Sequence, residues 1–163
     1  MPTQVSKNIG ASFLKGSEII ITLISLADGA GRVSDQIDLG PYPILGMTLT
    51  WNAEFQHVAT PTLGDVDEMY IAWADDLDGS AIDGDVGLVD AALSNADQVR
   101  NMMPIGNVIV DAAAADDVFK GSGEFPIMQK FLTVVVKNEG GSAFTADESE
   151  QIIRLALKFP QAA

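Results

Sequence analysis

The stretch that decides the fold reads Leu45-Gly46-Met47-Thr48-Leu49-Thr50-Trp51-Asn52-Ala53-Glu54-Phe55-Gln56. Every odd-numbered residue in it is apolar, and every even-numbered residue is polar or glycine. Because successive side chains of a strand point to opposite faces of a sheet, this period of two predicts a half-buried β-strand. The stretch therefore predicts a sheet with one face packed on a core and the other face polar.

Further strands are predicted on both sides of this stretch. Residues 33–39 alternate in the same way, apart from Asp35. Residues 19–27, 69–74 and 131–136 are apolar on both alternating faces, which is typical of strands that are covered on both sides. Since residues 28–32 are small and suited to a turn, we expect a hairpin between 19–27 and 33–39.

Two segments carry helix signals. Residues 94–103 predict one short helix that begins at Ser94 or Asn95 and ends before Pro104. Residues 145–158 fit either structure, because a capping box at Thr145 to Glu148 precedes apolar residues at helical spacing, while the same residues also alternate. The preceding Asn138-Glu139-Gly140-Gly141 turn favours a return strand, with the helix as the alternative.

These elements predict an all-β protein, a β-sandwich or a barrel rather than a βαβ fold, and we favour an antiparallel β-sandwich that is jelly-roll-like, with one or two short helices. We expect one sandwich domain over residues 17–163 and an extended N-terminal arm over residues 1–16. The arm has few large apolar residues, so we expect it to lie outside the sheet and to contact a neighbouring subunit. The candidate interface residues of the arm are Met1, Val5, Ile9, Phe13 and Leu14.

The composition disfavours several kinds of partner and site. Nine Lys and Arg against 23 Asp and Glu give a formal net charge of −14, which repels phosphate backbones and anionic lipid headgroups. We therefore expect no nucleic-acid partner and no membrane partner. The absence of Cys excludes disulfides and thiolate metal sites. Without a signal-peptide core or a membrane-spanning run, we expect a product made in the cytoplasm.

One acidic loop has the composition of a Ca²⁺ site. Its candidate ligands are Asp76, Asp78, Asp83 and Asp85, and Ca²⁺ takes six to eight oxygen ligands. The spacing departs from an EF-hand loop, because the distal bidentate Glu is missing. We interpret residues 75–85 as a solvated loop, keep the four aspartates as the metal candidates, and expect no cofactor.

No catalytic constellation is evident in the sequence. His57 is the only histidine, and since no nucleophile or orienting acid is implied beside it, we interpret it as an ordinary loop histidine. Four acids could supply the carboxylate pair of a glycoside hydrolase, although such pairs arise by chance in so acidic a chain. These four acids are Glu54, Asp65, Asp67 and Glu68. We therefore expect no enzyme activity.

Aromatic and glycine residues receive structural interpretations. Trp51 and Trp73 lie in strand patterns that indicate core positions rather than a substrate cleft. Gly121-Ser122-Gly123 precedes a predicted strand rather than a helix, so it does not match a phosphate-binding loop, and we interpret it as a turn.

Three segments resemble the strands and turns of jelly-roll proteins in tailed-bacteriophage virions. They are residues 131–138 with Gly140-Gly141, the late strand at 152–159, and Tyr70-Ile71-Ala72-Trp73-Ala74-Asp75-Asp76. The resemblance is strongest to small β-sandwich capsid decoration, or cement, proteins.

The resemblance implies a non-enzymatic homo-oligomer, commonly a trimer, on the capsid surface of the virion. It implies that the protein binds the major capsid protein and stabilises its lattice, and that sister subunits partly cover the strands with two apolar faces. Two alternatives stay open: a phage tail or baseplate β-sandwich, and a carbohydrate-binding module, which would expose a line of aromatic side chains.

Overall fold

A computed structural model describes residues 19–40, 47–76 and 86–158, together with the backbone of residues 12–14. Nearly all regular structure in these ranges is β-strand. The strands are β1 (Ser12–Leu14), β2 (Gly31–Val33), β3 (Ile37–Asp38), β4 (Thr48–Gln56), β5 (Val66–Ala74), β6 (Ala91–Ala92), β7 (Met103–Ile109), β8 (Val118–Pro126), β9 (Phe131–Glu139) and β10 (Ile152–Lys158). Two 3-10 helices, Ala96–Asn101 and Glu148–Glu150, accompany them. Neither these helices nor any other described segment has the length and hydropathy that crossing a membrane as a helix would need.

The strands form two antiparallel sheets. The four-stranded sheet has the order β1-β10-β4-β8, and the six-stranded sheet has the order β6-β2-β9-β5-β7, with β3 also paired to β9. Side chains from both sheets share one buried core, which includes Trp51 and Phe55 from one sheet and Met69, Ile71 and Val134 from the other. The all-β prediction of two antiparallel sheets packed as a sandwich is confirmed, whereas the jelly-roll connectivity stays a prediction.

The alternating stretch forms the strand that was predicted from it. Leu49, Trp51, Ala53 and Phe55 are buried in β4, and the polar residues between them are more exposed.

The structure also shows which secondary structure is formed by the two segments that carry helix signals. Residues 152–158 form β10, which pairs with β4 along its whole length, so the strand interpretation is confirmed. The helix predicted at 94–103 is a 3-10 helix, and Asn95 caps it in a capping box.

The predicted hairpin between residues 19–27 and 33–39 is wrong. Residues 20–27 form turns and irregular backbone, and both β2 and β3 pair with β9 instead. Ile19, Ile21 and Leu23 are nevertheless buried in the core. The apolar run therefore marks an irregular segment that packs inward, and burial alone produced the strand-like pattern.

The outer face of the six-stranded sheet is covered by the chain itself. Residues 86–102, here called the covering segment, include β6 at the edge of this sheet, and they place Val86 and Met102 against Ala72 of β5 and Val135 of β9 on its outer face. This second apolar cluster explains why β5 and β9 are apolar on both faces. At this part of the sheet the chain itself supplies the cover, and a further contribution from sister subunits stays a prediction.

Trp51 fills a slot lined by glycines. A Cβ atom at Gly106, Gly121 or Gly123 would lie 2.4, 3.0 or 2.6 Å from the indole ring. The indole Nε1 donates a hydrogen bond to the carbonyl oxygen of Ile105 at 3.0 Å. Since Gly121 and Gly123 lie inside β8, the interpretation of Gly121-Ser122-Gly123 as a turn before a strand is wrong. These glycines make room for a buried indole.

Part of the predicted N-terminal arm belongs to the sheet. Residues 12–14 form β1 and pair with β10, with Phe13 opposite Leu155 and Leu14 opposite Arg154. The expectation that the whole of 1–16 lies outside the sheet is therefore wrong for these three residues. Of the candidate interface residues, Met1, Val5 and Ile9 lie outside the described residues, and for Phe13 and Leu14 only the backbone is described.

Candidate functional site

Four connections of the described chain lie at one end of the sandwich. β4, β7 and β9 end there, and β5, β8 and β10 begin there. The connections at this end are residues 24–30, 57–65, 110–117 and 140–151, here called the loop end. Because strands of both sheets hold these connections, the loop end has a rigid base.

The only histidine lies in the base of the loop end. His57 follows β4 directly and forms a bridge with Phe144 of the β9–β10 connection. Its Nε2 is 3.0 Å from Oδ2 of Asp67, and its Nδ1 is 2.9 Å from the carbonyl oxygen of Ser142. The side chains of both His57 and Asp67 are 0% exposed. The interpretation of His57 as an ordinary loop histidine is therefore wrong.

The hydrogen bonds define the protons of this pair. A carbonyl oxygen only accepts, so Nδ1 of His57 carries a proton and donates it to Ser142. One further proton lies between Nε2 and Asp67, whether the pair is an imidazolium with a carboxylate or a neutral imidazole with a carboxylic acid. In both forms the pair is neutral as a unit, which is how two buried titratable groups avoid leaving an unpaired charge.

The combined effect of burial and pairing raises the pKa of both His57 and Asp67. Burial lowers the pKa of His57, but the hydrogen bond and the negative charge of Asp67 outweigh this effect, so that the pKa is raised above the ordinary histidine value. Burial raises the pKa of Asp67, and the contacts with His57 offset this rise only in part. The folded protein therefore holds the shared proton more tightly than the unfolded chain does.

Aromatic rings and a glycine close the surroundings of His57. Phe119 and Phe144 pack edge-on against the imidazole, with ring centroids 5.7 and 5.1 Å away. A Cβ atom at Gly140 would lie 2.4 Å from Cε1 of His57. Since His57 has no exposed surface, it cannot reach a substrate as a general base in this conformation. The pair acts as a structural link between β4, β5 and the β9–β10 connection.

Asn138 extends this link to a third loop. Its Nδ2 donates to the carbonyl oxygens of Leu26 and Ser142, both at 2.8 Å, and its Oδ1 accepts from the backbone N–H of Gly140 at 3.0 Å. Asn138 lies opposite Asp67 in the β5–β9 register. The two neighbouring strands thus each contribute one buried polar side chain that fixes the loops above.

The sequence around Asp67 carries a signal of its burial. Within β5, Asp67 shares a face with Met69 and Ile71, so it is an acid at an inward position of a strand pattern. Such a residue needs a buried partner. The partner is ten residues away in sequence, and the pairing depends on how β4 and β5 are placed in opposite sheets.

The predicted carboxylate set does not form a common cleft. Glu54 lies on the outer face of the four-stranded sheet, where it pairs with Lys120 at 3.1 Å and Arg154 at 3.6 Å. Glu68 points away from the core and accepts a hydrogen bond from Tyr70 at 2.7 Å. Asp65 lies at the loop end, and Asp67 is buried with His57. The structure therefore separates these acids onto different surfaces.

The predicted Ca²⁺ candidates fall mostly outside the described residues. Asp78, Asp83 and Asp85 lie there, whereas Asp76 is described and its carbonyl oxygen accepts from the side chain of Gln36 at 3.2 Å. Across residues 19–40, 47–76 and 86–158, no group of three or more His, Asp or Glu side chains is arranged to hold a metal ion.

The surface of the loop end is both apolar and acidic. Four large apolar side chains, 42–63% exposed, lie there, and they are Ile24, Val58, Leu63 and Ile109, the last residue of β7. We call these four the apolar patch. The four connections carry eight acids and no Lys or Arg, and the acids are Asp28, Asp65, Asp111, Asp116, Asp117, Asp147, Glu148 and Glu150. The loop end is therefore the candidate contact surface.

The outer face of the four-stranded sheet has a different character. Its polar residues include three cations in ion pairs, with Lys158 paired to Glu124 at 2.5 Å and both Lys120 and Arg154 paired to Glu54. The three cations are paired with two acids, Glu54 and Glu124, so the ion pairs named here leave one positive charge on this face. A family-model scan of the chain gives no match, and a search of curated proteins finds no relative with significant similarity.

Proposed function

We propose that the chain is a non-enzymatic structural protein of a tailed-bacteriophage virion, most like a capsid decoration or cement protein. In this role it binds the lattice of the major capsid protein and stabilises it, as a homo-oligomer that is commonly a trimer. The proposal continues the resemblance of residues 70–76, 131–141 and 152–159 to virion jelly-roll proteins.

The observation that carries the proposal is the contrast between the interior and the loop end. The only histidine, His57, is closed off from solvent and serves to fix the loops. The surface above it combines exposed apolar side chains with carboxylates, which suits contact with another protein. A fixed contact surface on a rigid sandwich is what a lattice-binding protein needs.

The tail or baseplate alternative differs only in the particle that is bound. Its carbohydrate-binding version is less well supported, since Trp51 and Trp73 are 1% and 4% exposed. Stacking on a sugar ring requires an accessible aromatic face. Among the described residues, these two indoles are committed to the core.

Quantitative mass spectrometry of separated heads and tails from the virus that encodes the chain tests the proposal. We expect the chain in the head fraction at a fixed ratio to the major capsid protein. Adding the purified chain to heads that lack it should raise the temperature at which the heads release their DNA. Recovery of the chain only from tails, or from neither fraction, would refute the decoration role.

A further inference from the structure

The four residues of the apolar patch lie at the same end of the sandwich. The described residues include seven large apolar side chains with strong exposure, and four of them form the patch at the loop end. The other three are Ile20, Val89 and Met128. Single exposed apolar residues are ordinary on a protein surface, whereas a group at one end marks a contact site.

Backbone hydrogen bonds bring the four patch residues to neighbouring loops. The N–H of Val58 donates to Ala143, and the N–H of Ser25, next to Ile24, donates to Thr145. On the other side, the N–H of Gly64, next to Leu63, donates to Val110, which follows Ile109. The backbone around the patch is therefore already ordered, and a partner would not have to supply the free energy of ordering it.

The negative charge around the apolar patch favours a partner with a positively charged surface. With eight acids and no Lys or Arg in its four connections, the loop end attracts cationic surfaces and repels anionic ones. A second copy of the chain brings its own net charge of −14, so self-association through this end is opposed by like-charge repulsion. A membrane surface rich in anionic lipids is opposed in the same way.

We propose that the loop end docks on a protein surface that presents Lys and Arg side chains around apolar ones. The apolar patch supplies the desolvated centre of the contact, and the acids form its charged rim. This inference goes beyond the virion assignment, because it specifies the surface and the chemistry of the partner for whichever particle the protein serves.

A titration of the isotope-labelled chain, followed by NMR, tests this inference with defined probes. The probes are a short synthetic peptide of Lys and Leu, a matched peptide of Lys and Ser, and a matched peptide of Glu and Leu. We expect the Lys and Leu peptide to bind at least about tenfold more tightly than either control peptide. The shifted amide signals should lie in residues 24–30, 57–65, 109–117 and 140–151, and binding should weaken with added salt.

Substitutions separate the patch from exposed apolar residues elsewhere. Val58→Ser and Leu63→Ser should together weaken binding of the Lys and Leu peptide by about tenfold. The matched controls Val89→Ser and Met128→Ser should change it less than about twofold. Unchanged amide spectra away from each substitution verify that the variants fold.

Three outcomes would overturn the inference. They are shifts spread over the whole surface, equal binding of the Lys and Ser peptide, and equal losses in the patch and control variants. Self-association of the unmodified chain that Leu63→Ser abolishes would also overturn it, in favour of a second copy as the occupant. Each result is independent of the head and tail fractionation, so failure of one proposal can be told from failure of the other.

Discussion

The indole of Trp51 on β4 donates its hydrogen bond to the carbonyl oxygen of Ile105 on β7, and this bond joins the two sheets at 3.0 Å. In the β5–β7 register, Met69 pairs with Gly106 and Tyr70 pairs with Pro104, so Ile105 is the extra residue of a β-bulge. The bulge presents a backbone acceptor to a side chain of the opposite sheet. One irregularity in pairing thus satisfies the only polar atom of a buried indole.

Substitution of Gly123 tests the fit of this indole. The Cβ atom of Gly123→Ala would lie 2.6 Å from Nε1 of Trp51, so the indole has to shift, which disturbs the hydrogen bond that the same Nε1 donates to Ile105. We expect the free energy of unfolding to fall by about 1–3 kcal/mol. Urea unfolding followed by tryptophan fluorescence measures it. The matched control is Gly87→Ala, where no atom lies within 4 Å of the new Cβ, and a similar loss in the control would contradict the explanation.

The His57–Asp67 pair predicts how stability depends on pH. The raised pKa of His57 gives a contribution that is fully present below about pH 6.5, the ordinary histidine value. It is lost as the pH rises through the higher pKa of folded His57. The raised pKa of Asp67 acts with the same sign but at lower pH, because its contribution is fully present only below about pH 3.9, the ordinary aspartate value. We therefore expect stability to decrease between mildly acidic and mildly alkaline pH.

Two measurements check this dependence. Because the chain has one histidine, its imidazole gives one set of NMR signals, and we expect their titration midpoint above about 6.5. Urea unfolding over the same pH range should show that the free energy of unfolding changes less with pH for His57→Gln than for the unmodified chain. The acidic surface affects both proteins equally, so it does not account for the difference. A midpoint at or below the ordinary value would disprove the assignment.

We predict that position 140 requires glycine because a side chain there would collide with the imidazole of His57, and not because of the backbone conformation of Gly140. Its Cβ would lie 2.4 Å from Cε1 of His57 and 3.1 Å from Oδ1 of Asp67. Gly140→Ala should therefore lower the free energy of unfolding by about 1–3 kcal/mol and move the histidine NMR signals. Gly87→Ala again serves as the control. An unchanged histidine signal in a destabilised Gly140→Ala variant would show that the contact with His57 is not the cause.

The covering segment is predicted to contribute to stability within one chain. Met102 is buried against the outer face of the six-stranded sheet, and Met102→Ala should lower the free energy of unfolding by about 2–5 kcal/mol. The loss should be the same at all protein concentrations. A loss that appears only at low concentration, measured by unfolding and light scattering together, would instead indicate a cover that neighbouring subunits complete.

Much of the fold was predictable, because the alternation in β4 and the apolar runs of β5 and β9 report burial directly. The predictions from apolar runs that were wrong have a common cause. Apolar runs record that a segment is covered, but they do not record what covers it or whether the segment is extended. Residues 20–27 pack inward without forming a strand, and the cover of β5 and β9 comes from residues 86–102 of the same chain.

The buried pair was harder to predict than the fold. An acid at the inward position of Asp67 signals a buried partner, but the partner is His57 at the end of a strand in the other sheet. No local spacing brings the two together. The loop end could not be predicted from the sequence either. Its four connections become neighbours only when the six strands that hold them have paired into sheets, and they are residues 24–30, 57–65, 110–117 and 140–151.

The two-residue length of β6 has a consequence for how other chains can attach. A strand that adds to a sheet gains affinity from a row of free backbone groups along the edge. At the β6 edge of the six-stranded sheet, Ala91–Ala92 offers only a short row. Short edges of this kind protect a β-protein from uncontrolled polymerisation. At the β6 edge, recognition thus depends on side chains.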